Sequence, residues 1–170
     1  MNLPNKLTII RMVLVPVFMV LFVLGYMLPA AIVFIIASLT DWFDGYIARK
    51  NGIVTNFGKF MDPLADKLLV FGAFLCLMNS GIISMWVLMI VLTREFLVTG
   101  LRLVAVSEGV VIAAGKSGKI KTALQMVAVI YAIIFGSGTV TDVLIWVSTI
   151  LTAYSGVEYM VQNRSVFKAE

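Results

Sequence analysis

Four stretches of this 170-residue chain contain no Asp, Glu, Lys or Arg: residues 12–40, 68–93, 122–141 and 143–157. A membrane-spanning helix needs about 20 mostly apolar residues. Residues 12–40 are too many for one span and too few for two. That stretch contains Gly25 and Pro29, the second contains Asn79-Ser80-Gly81, and the third contains Gly136-Ser137-Gly138. Gly, Asn and Ser punctuate a chain, and Pro favours a helix start. The pattern therefore predicts helical hairpins that reverse at these points. Six helices follow, roughly 7–27, 29–49, 60–79, 82–106, 119–136 and 139–161. Composition agrees, because 61% of residues are hydrophobic and only 13% are charged. A soluble domain carries roughly twice that charged fraction. The expected class is an all-α integral membrane protein of six transmembrane helices, one domain over residues 1–170. The chain has no His and one Cys, Cys76. That excludes histidine acid–base chemistry, an internal disulfide and a cysteine zinc site.

The charges add an orientation. The three turn regions, 25–29, 79–82 and 136–142, hold no Lys or Arg, so all 13 basic residues lie toward the other ends of the helices. Basic loops stay in the cytoplasm. Both termini are expected there, in a multi-pass protein of the cell membrane. The second, third and fourth helices reach spanning length only by taking charges into their cytoplasmic halves. Those charges are Asp41, Asp44 and Arg49; Asp62, Asp66 and Lys67; and Arg94, Glu95 and Arg102. Lysines such as Lys67 can snorkel outward, but an aspartate is too short. Ionisable groups at that depth are costly and mark function.

Asp41 and Asp44 are three residues apart, and Asp62 and Asp66 are four apart. Each pair shares one helix face. The link over 50–59 contains Gly52 and Gly58 and is short enough to stand the two helices side by side. Four carboxylates then converge at the cytoplasmic end of the bundle. They repel one another and need cations. Oxygen ligands without His or Cys suit Mg²⁺ or Mn²⁺. Four carboxylates can hold two such ions, and two-metal sites act on phosphates. Gly45 and Ala48 either leave room for a ligand or serve close helix packing; spacing alone does not separate the two.

The pattern D-x2-D-G-x2-A-R-x8-G-x3-D-x3-D falls on Asp41, Asp44, Gly45, Ala48, Arg49, Gly58, Asp62 and Asp66 with every gap matched. It resembles the signature of the CDP-alcohol phosphotransferase family. The flanking segments NLPNKLTIIR, DPLADK, TREFLVTGLR and GKIKTALQ resemble one bacterial branch, which makes phosphatidylglycerophosphate. The resemblance implies a reaction of CDP-diacylglycerol with sn-glycerol 3-phosphate that releases CMP. It implies that Asp41, Asp44, Asp62 and Asp66 hold two divalent cations, Mg²⁺ or Mn²⁺, with Asp66 also the general base. Asn5, Thr8, Gly45, Ala48, Arg49, Thr55 and Gly58 would hold the CDP-lipid, although Asn5 and Thr8 also suit helix capping. Many members are homodimers, and the same is expected here.

An acceptor phosphate would need its own cations. Arg94, Arg102, Lys119, Lys121 and Thr122 are the candidates, the last three in a Gly- and Lys-rich helix start. Glu95 is expected to pair with a nearby arginine. Lys116 is expected to face lipid headgroups. Other acceptors fit the same chemistry: inositol phosphate, serine or phosphatidylglycerol. A divalent-cation transporter would leave Gly45, Arg49 and the basic cluster without roles, and it would usually carry internal repeats.

Overall fold

A computed structural model describes residues 3–51, 56–107, 109, 112 and 115–164, without the side chains of 3–4, 41–51, 56–60, 62–63, 107 and 116. The six helices are α1 (Leu3–Val23), α2 (Met27–Asn51), α3 (Asn56–Asn79), α4 (Met85–Ser107), α5 (Lys116–Phe135) and α6 (Thr139–Gln162). Every expected helix is present, with ends shifted by up to about four residues. Among the described residues there is no strand.

The first reversal is tighter than expected. Gly25 alone takes the left-handed conformation, with φ of 83°. Its N–H bonds the Phe22 carbonyl at 3.0 Å, and the Tyr26 N–H bonds Leu21 at 3.0 Å. α2 therefore starts at Met27, two residues earlier than expected, and Pro29 lies within its first turn. Its missing N–H costs nothing there, because the first four helical N–H groups have no intrahelical partner. Gly81 and Gly136 play the same part in the next two outer turns, with φ of 73° and 68°.

Among the described residues, three helical stretches are long and apolar enough to cross a membrane: Asn5–Val23, Ser117–Phe135 and Thr139–Gln162. Met27–Thr40 of α2 is apolar but shorter. Charges interrupt the remaining helices, as the sequence indicates. The chain is thus a multi-pass membrane protein built of helices.

The helices form two groups joined in the middle. α1 packs against α2 and α3, while α6 packs against α5 and α4; contacts of α2 with α5 and of α3 with α4 and α5 tie the groups together. Phe18, Phe34, Phe74, Leu77, Val91 and Ile133 are essentially inaccessible at the centre. The Phe18 and Phe34 rings meet at 5.5 Å in a tilted arrangement. Small side chains bring the backbones close, as is usual between membrane helices. Ala30, Ala37, Ala73, Ala128 and Ala132 are all fully buried. Large apolar residues such as Val20, Leu103, Ile150 and Val157 point outward, the pattern of a surface solvated by acyl chains.

Four buried hydroxyls in the middle of α6 are satisfied within their own helix. Ser148 and Thr149 both donate to the Ile145 carbonyl, Thr152 to Ser148 and Ser155 to Thr152. Such back-bonding satisfies the donor at no tertiary cost and leaves α6 slender.

Close approach of α1 to α3 depends on Gly72. A Cβ there would stand 3.2 Å from Val15 Cγ1 and 3.4 Å from Met19 Sδ. A Cβ at Gly100 would meet nothing within 4 Å. Gly72→Val should lower stability by about 1–3 kcal/mol through overpacking. Gly100→Ala should be neutral or stabilising by up to about 1 kcal/mol, because Ala is the better helix former. Thermal unfolding in detergent checks both; equal effects would contradict the packing described.

Candidate active site

The buried face of α1 changes character along its length. Phe22, Phe18 and Val15 occupy it near the turn, and Arg11, Thr8 and Asn5 occupy it toward the N-terminus. Arg11 and Thr8 have no accessible surface, and Asn5 has 9%. A fully buried arginine requires polar partners, and Asn5, Thr8 and Arg11 each make polar interactions.

Counting from the α1–α2 turn shows what lies opposite. Asn5 is 18 residues before Val23, and Gly45 is 18 after Met27. Antiparallel helices of equal rise place such residues at similar depth. The polar end of α1 therefore stands at the level of the D-x2-D-G segment of α2. The same count on the next hairpin sets Asp62 level with Arg102, each 17 residues from its helix end at the turn.

Asp41, Asp44, Gly45, Ala48 and Arg49 lie on the last part of α2, and Gly58, Asp62 and Asp66 on the first part of α3. Thr55 lies outside the described residues, as do the side chains of all these except Asp66. Among the described residues no group of three or more His, Cys, Asp or Glu side chains is poised for a metal. The backbone still fits the expected cations by donor chemistry. It brings two aspartates on each of two helices to the same end of the bundle across a link of four residues, 52–55. Four hard carboxylate ligands suit Mg²⁺ or Mn²⁺.

Asp66 opens into a cavity of about 550 Å³ between α3, α4, α5 and α6. Its walls carry Arg94, Arg102, Lys119, Lys121 and Thr122, all five of the residues expected around an acceptor phosphate. Lys67, expected to snorkel, also lines it. Five basic and two acidic side chains, Asp66 and Glu95, leave a formal excess of three positive charges.

Glu95 organises the inner part of this wall. Its Oε1 accepts from Arg94 Nη1 at 2.9 Å and from Lys121 Nζ. The expected pairing of Glu95 with an arginine is thus present, and a lysine from α5 joins it. Lys121 is only 5% exposed and also feels the Asp66 carboxylate electrostatically. One acid shared by two cations leaves a net positive charge in the cavity.

Arg102, also in the cavity wall, donates from Nε to the Tyr159 hydroxyl at 2.9 Å. Its guanidinium carbon lies 5.3 Å from the centre of the same ring. Tyr159 is held in turn by Val98, Leu101 and Ala105. Lys119 and Thr122 are exposed. Thr122 donates to the Gly118 carbonyl at 2.9 Å, so its hydroxyl is occupied by its own helix.

Sequence reasoning missed Arg11, Gln125, Ser155, Gly156 and Tyr159. Gln125 follows Lys121 by one turn, a spacing that could have placed it on the same face. Nothing in the sequence pointed to Gly156. A Cβ there would stand 2.8 Å from Arg94 Cγ, and one at Gly118 would stand 3.6 Å from Arg94 Nη2. The Arg94 side chain thus runs across the bare backbone of α6 toward α5.

Gly156→Ala should destabilise by about 1–3 kcal/mol, because Arg94 must move. In an Arg94→Ala background the same change should cost nothing, since the clashing atom is gone. A thermal-unfolding cycle of the four proteins reads this coupling. Additive effects would show that Gly156 serves something other than Arg94.

The CDP-alcohol phosphatidyltransferase family profile matches residues 1–154. The CDP-diacylglycerol–glycerol-3-phosphate 3-phosphatidyltransferase of Bacillus subtilis is 43% identical, over 98% of this chain and 97% of its own length. The enzyme of the same name from Rickettsia typhi is 38% identical, over 98% of this chain and 99% of its own. That of Wigglesworthia glossinidia brevipalpis is 33% identical, over 94% and 93%. With a helical membrane bundle, an intact D-x2-D-G-x2-A-R motif and near full-length relatives, the chain belongs to the CDP-alcohol phosphatidyltransferase family.

Proposed function

We propose that this chain transfers the phosphatidyl group of CDP-diacylglycerol to sn-glycerol 3-phosphate, giving phosphatidylglycerophosphate and CMP. The observation that carries the reading is the single cavity in which Asp66 shares walls with Lys67, Arg94, Arg102, Lys119 and Lys121. A carboxylate in a strongly cationic recess suits a small alcohol that also bears phosphate. Three relatives covering more than nine-tenths of the chain carry names that specify this acceptor. An acceptor without phosphate, such as serine, would leave the positive excess uncompensated.

In this reading the acceptor phosphate rests on Arg102, Lys119 and Lys121, with Arg94 behind them. Tyr159 aims Arg102, and Glu95 aims Arg94 and Lys121. The acceptor hydroxyl faces Asp66, which takes its proton as the oxygen attacks the lipid-linked phosphorus. The new P–O bond forms as the bond to CMP breaks, and CMP carries away the electron pair. Asp41, Asp44, Asp62 and Asp66 would hold two divalent cations, Mg²⁺ or Mn²⁺, which supply countercharge to the donor phosphates when bound. Asn5, Thr8, Gly45, Ala48, Arg49, Thr55 and Gly58 would hold the CDP portion. The acyl chains stay beside the outward apolar faces of the helices. The bundle is read as six spans with both termini and the active site on the cytoplasmic side of the cell membrane. The working unit is taken to be a homodimer.

The test is CMP release by purified protein in detergent with CDP-diacylglycerol and Mg²⁺ or Mn²⁺. Acceptors are added singly: glycerol 3-phosphate, inositol phosphate, serine and phosphatidylglycerol. Metal-dependent release with glycerol 3-phosphate alone is expected. Release only with another acceptor would overturn the assignment of the cationic wall. Asp66→Asn should lose at least about a hundredfold in kcat, the usual contribution of positioned proton transfer. Arg102→Ala and Lys119→Ala should each raise the KM for glycerol 3-phosphate by roughly tenfold or more, as loss of a charge-assisted bond does. The KM for the CDP-lipid should stay nearly constant. An effect confined to the lipid would move those residues to the other substrate.

A further inference from the structure

Gln125 lies in the cavity wall at 3% exposure, one turn beyond Lys121 on the same face of α5. Its Nε2 is fully buried and has no hydrogen-bond partner among the described residues. A buried amide donor left unpaired is unfavourable, and native structures leave few of them. An apolar side chain of the same length would fill the place without that penalty. The amide therefore points to a polar group that occupies the cavity during the reaction.

Position and chemistry together narrow that group. Lys121 is 14 residues before Phe135, and Asp66 is 13 before Asn79. The two stand near one level, consistent with their electrostatic contact. Gln125 lies one turn deeper, about 6 Å along the axis. The phosphate has five cations to choose from and gains little from a neutral amide. An alcohol hydroxyl both donates and accepts, and an amide does the same. Glycerol 3-phosphate has two hydroxyls. One is spent in attack opposite Asp66, and the other needs a partner of this kind.

We infer that Gln125 is a specificity-determining residue that binds the unreactive hydroxyl of the acceptor. The inference rests on the proposed function and goes beyond it by naming how the acceptor carbon chain is read. An enzyme site built to bond a hydroxyl discriminates against the analogue that lacks it, because its own polar group is then left unpaired.

The experiment compares kcat/KM for glycerol 3-phosphate with that for 3-hydroxypropyl phosphate, the same chain without its middle hydroxyl. CDP-diacylglycerol is held saturating. Wild type, Gln125→Met and Gln125→Asn are measured, with thermal unfolding to confirm that each is folded. Wild type should prefer glycerol 3-phosphate. Gln125→Met, close in length and shape, should shrink that preference by on the order of tenfold, the worth of one hydrogen bond. The loss should fall on glycerol 3-phosphate, with the analogue nearly unchanged. Gln125→Asn, which withdraws the amide by one methylene, should fall between the two. An unchanged preference in Gln125→Met would overturn the inference, and so would an equal fall for both acceptors. No CMP release by wild type with glycerol 3-phosphate would instead overturn the proposed function, so the two failures are distinguishable.

Discussion

Removing an ion from water costs several kcal/mol even after relaxation, and this chain places several ions inside an apolar helical bundle. The Glu95 carboxylate makes that tolerable in the inner part of the cavity. It receives Arg94 from its own helix and Lys121 from α5, joining two elements that otherwise meet mainly through α6. Without Glu95, two buried cations would face each other across a low-dielectric gap. With it, the pair becomes a triad with one positive charge to spare. That surplus, added to Lys67, Arg102 and Lys119, makes the recess a place for an anion.

The rest of the architecture serves the same end by keeping the helices thin where the charges lie. The buried Ser148, Thr149, Thr152 and Ser155 of α6 bond within their own helix, so these four hydroxyls need no partner from another helix. Gly156 and Gly118 offer bare backbone to the long Arg94 side chain. On the other side of the bundle, Gly72 and the buried alanines draw α1 against α3. This carries the polar N-terminal face of α1 up to the level of the α2 motif. Arg11 also sits on that face, with no accessible surface.

Much of this was legible in the sequence, for identifiable reasons. Charge-free tracts broken by Gly, Asn and Ser located all six helices, because helix length and turn chemistry are local properties. The helix ends slipped where capping decides them, as at Pro29. The spacing of the four aspartates placed them on one end of α2 and α3, while the meeting of their side chains remains a proposal. Five cationic or hydroxyl residues expected around one phosphate do line one cavity. That they share it with Asp66 depends on how α3 packs against α5, which no local pattern encodes. Gln125 and Tyr159 were missed because a single polar group in an apolar helix looks like any other. Gly156 was missed because its use appears only when Arg94 crosses it.

The central claim is that one cavity joins the Asp66 carboxylate to the cations that hold the water-soluble acceptor. The most direct measurement is an experimental structure of the Mg²⁺-loaded protein with glycerol 3-phosphate. The account predicts the acceptor within this cavity, its phosphate among Arg102, Lys119 and Lys121 and one hydroxyl within hydrogen-bond distance of Asp66. An acceptor bound elsewhere, or one whose hydroxyls all stand away from Asp66, would contradict it.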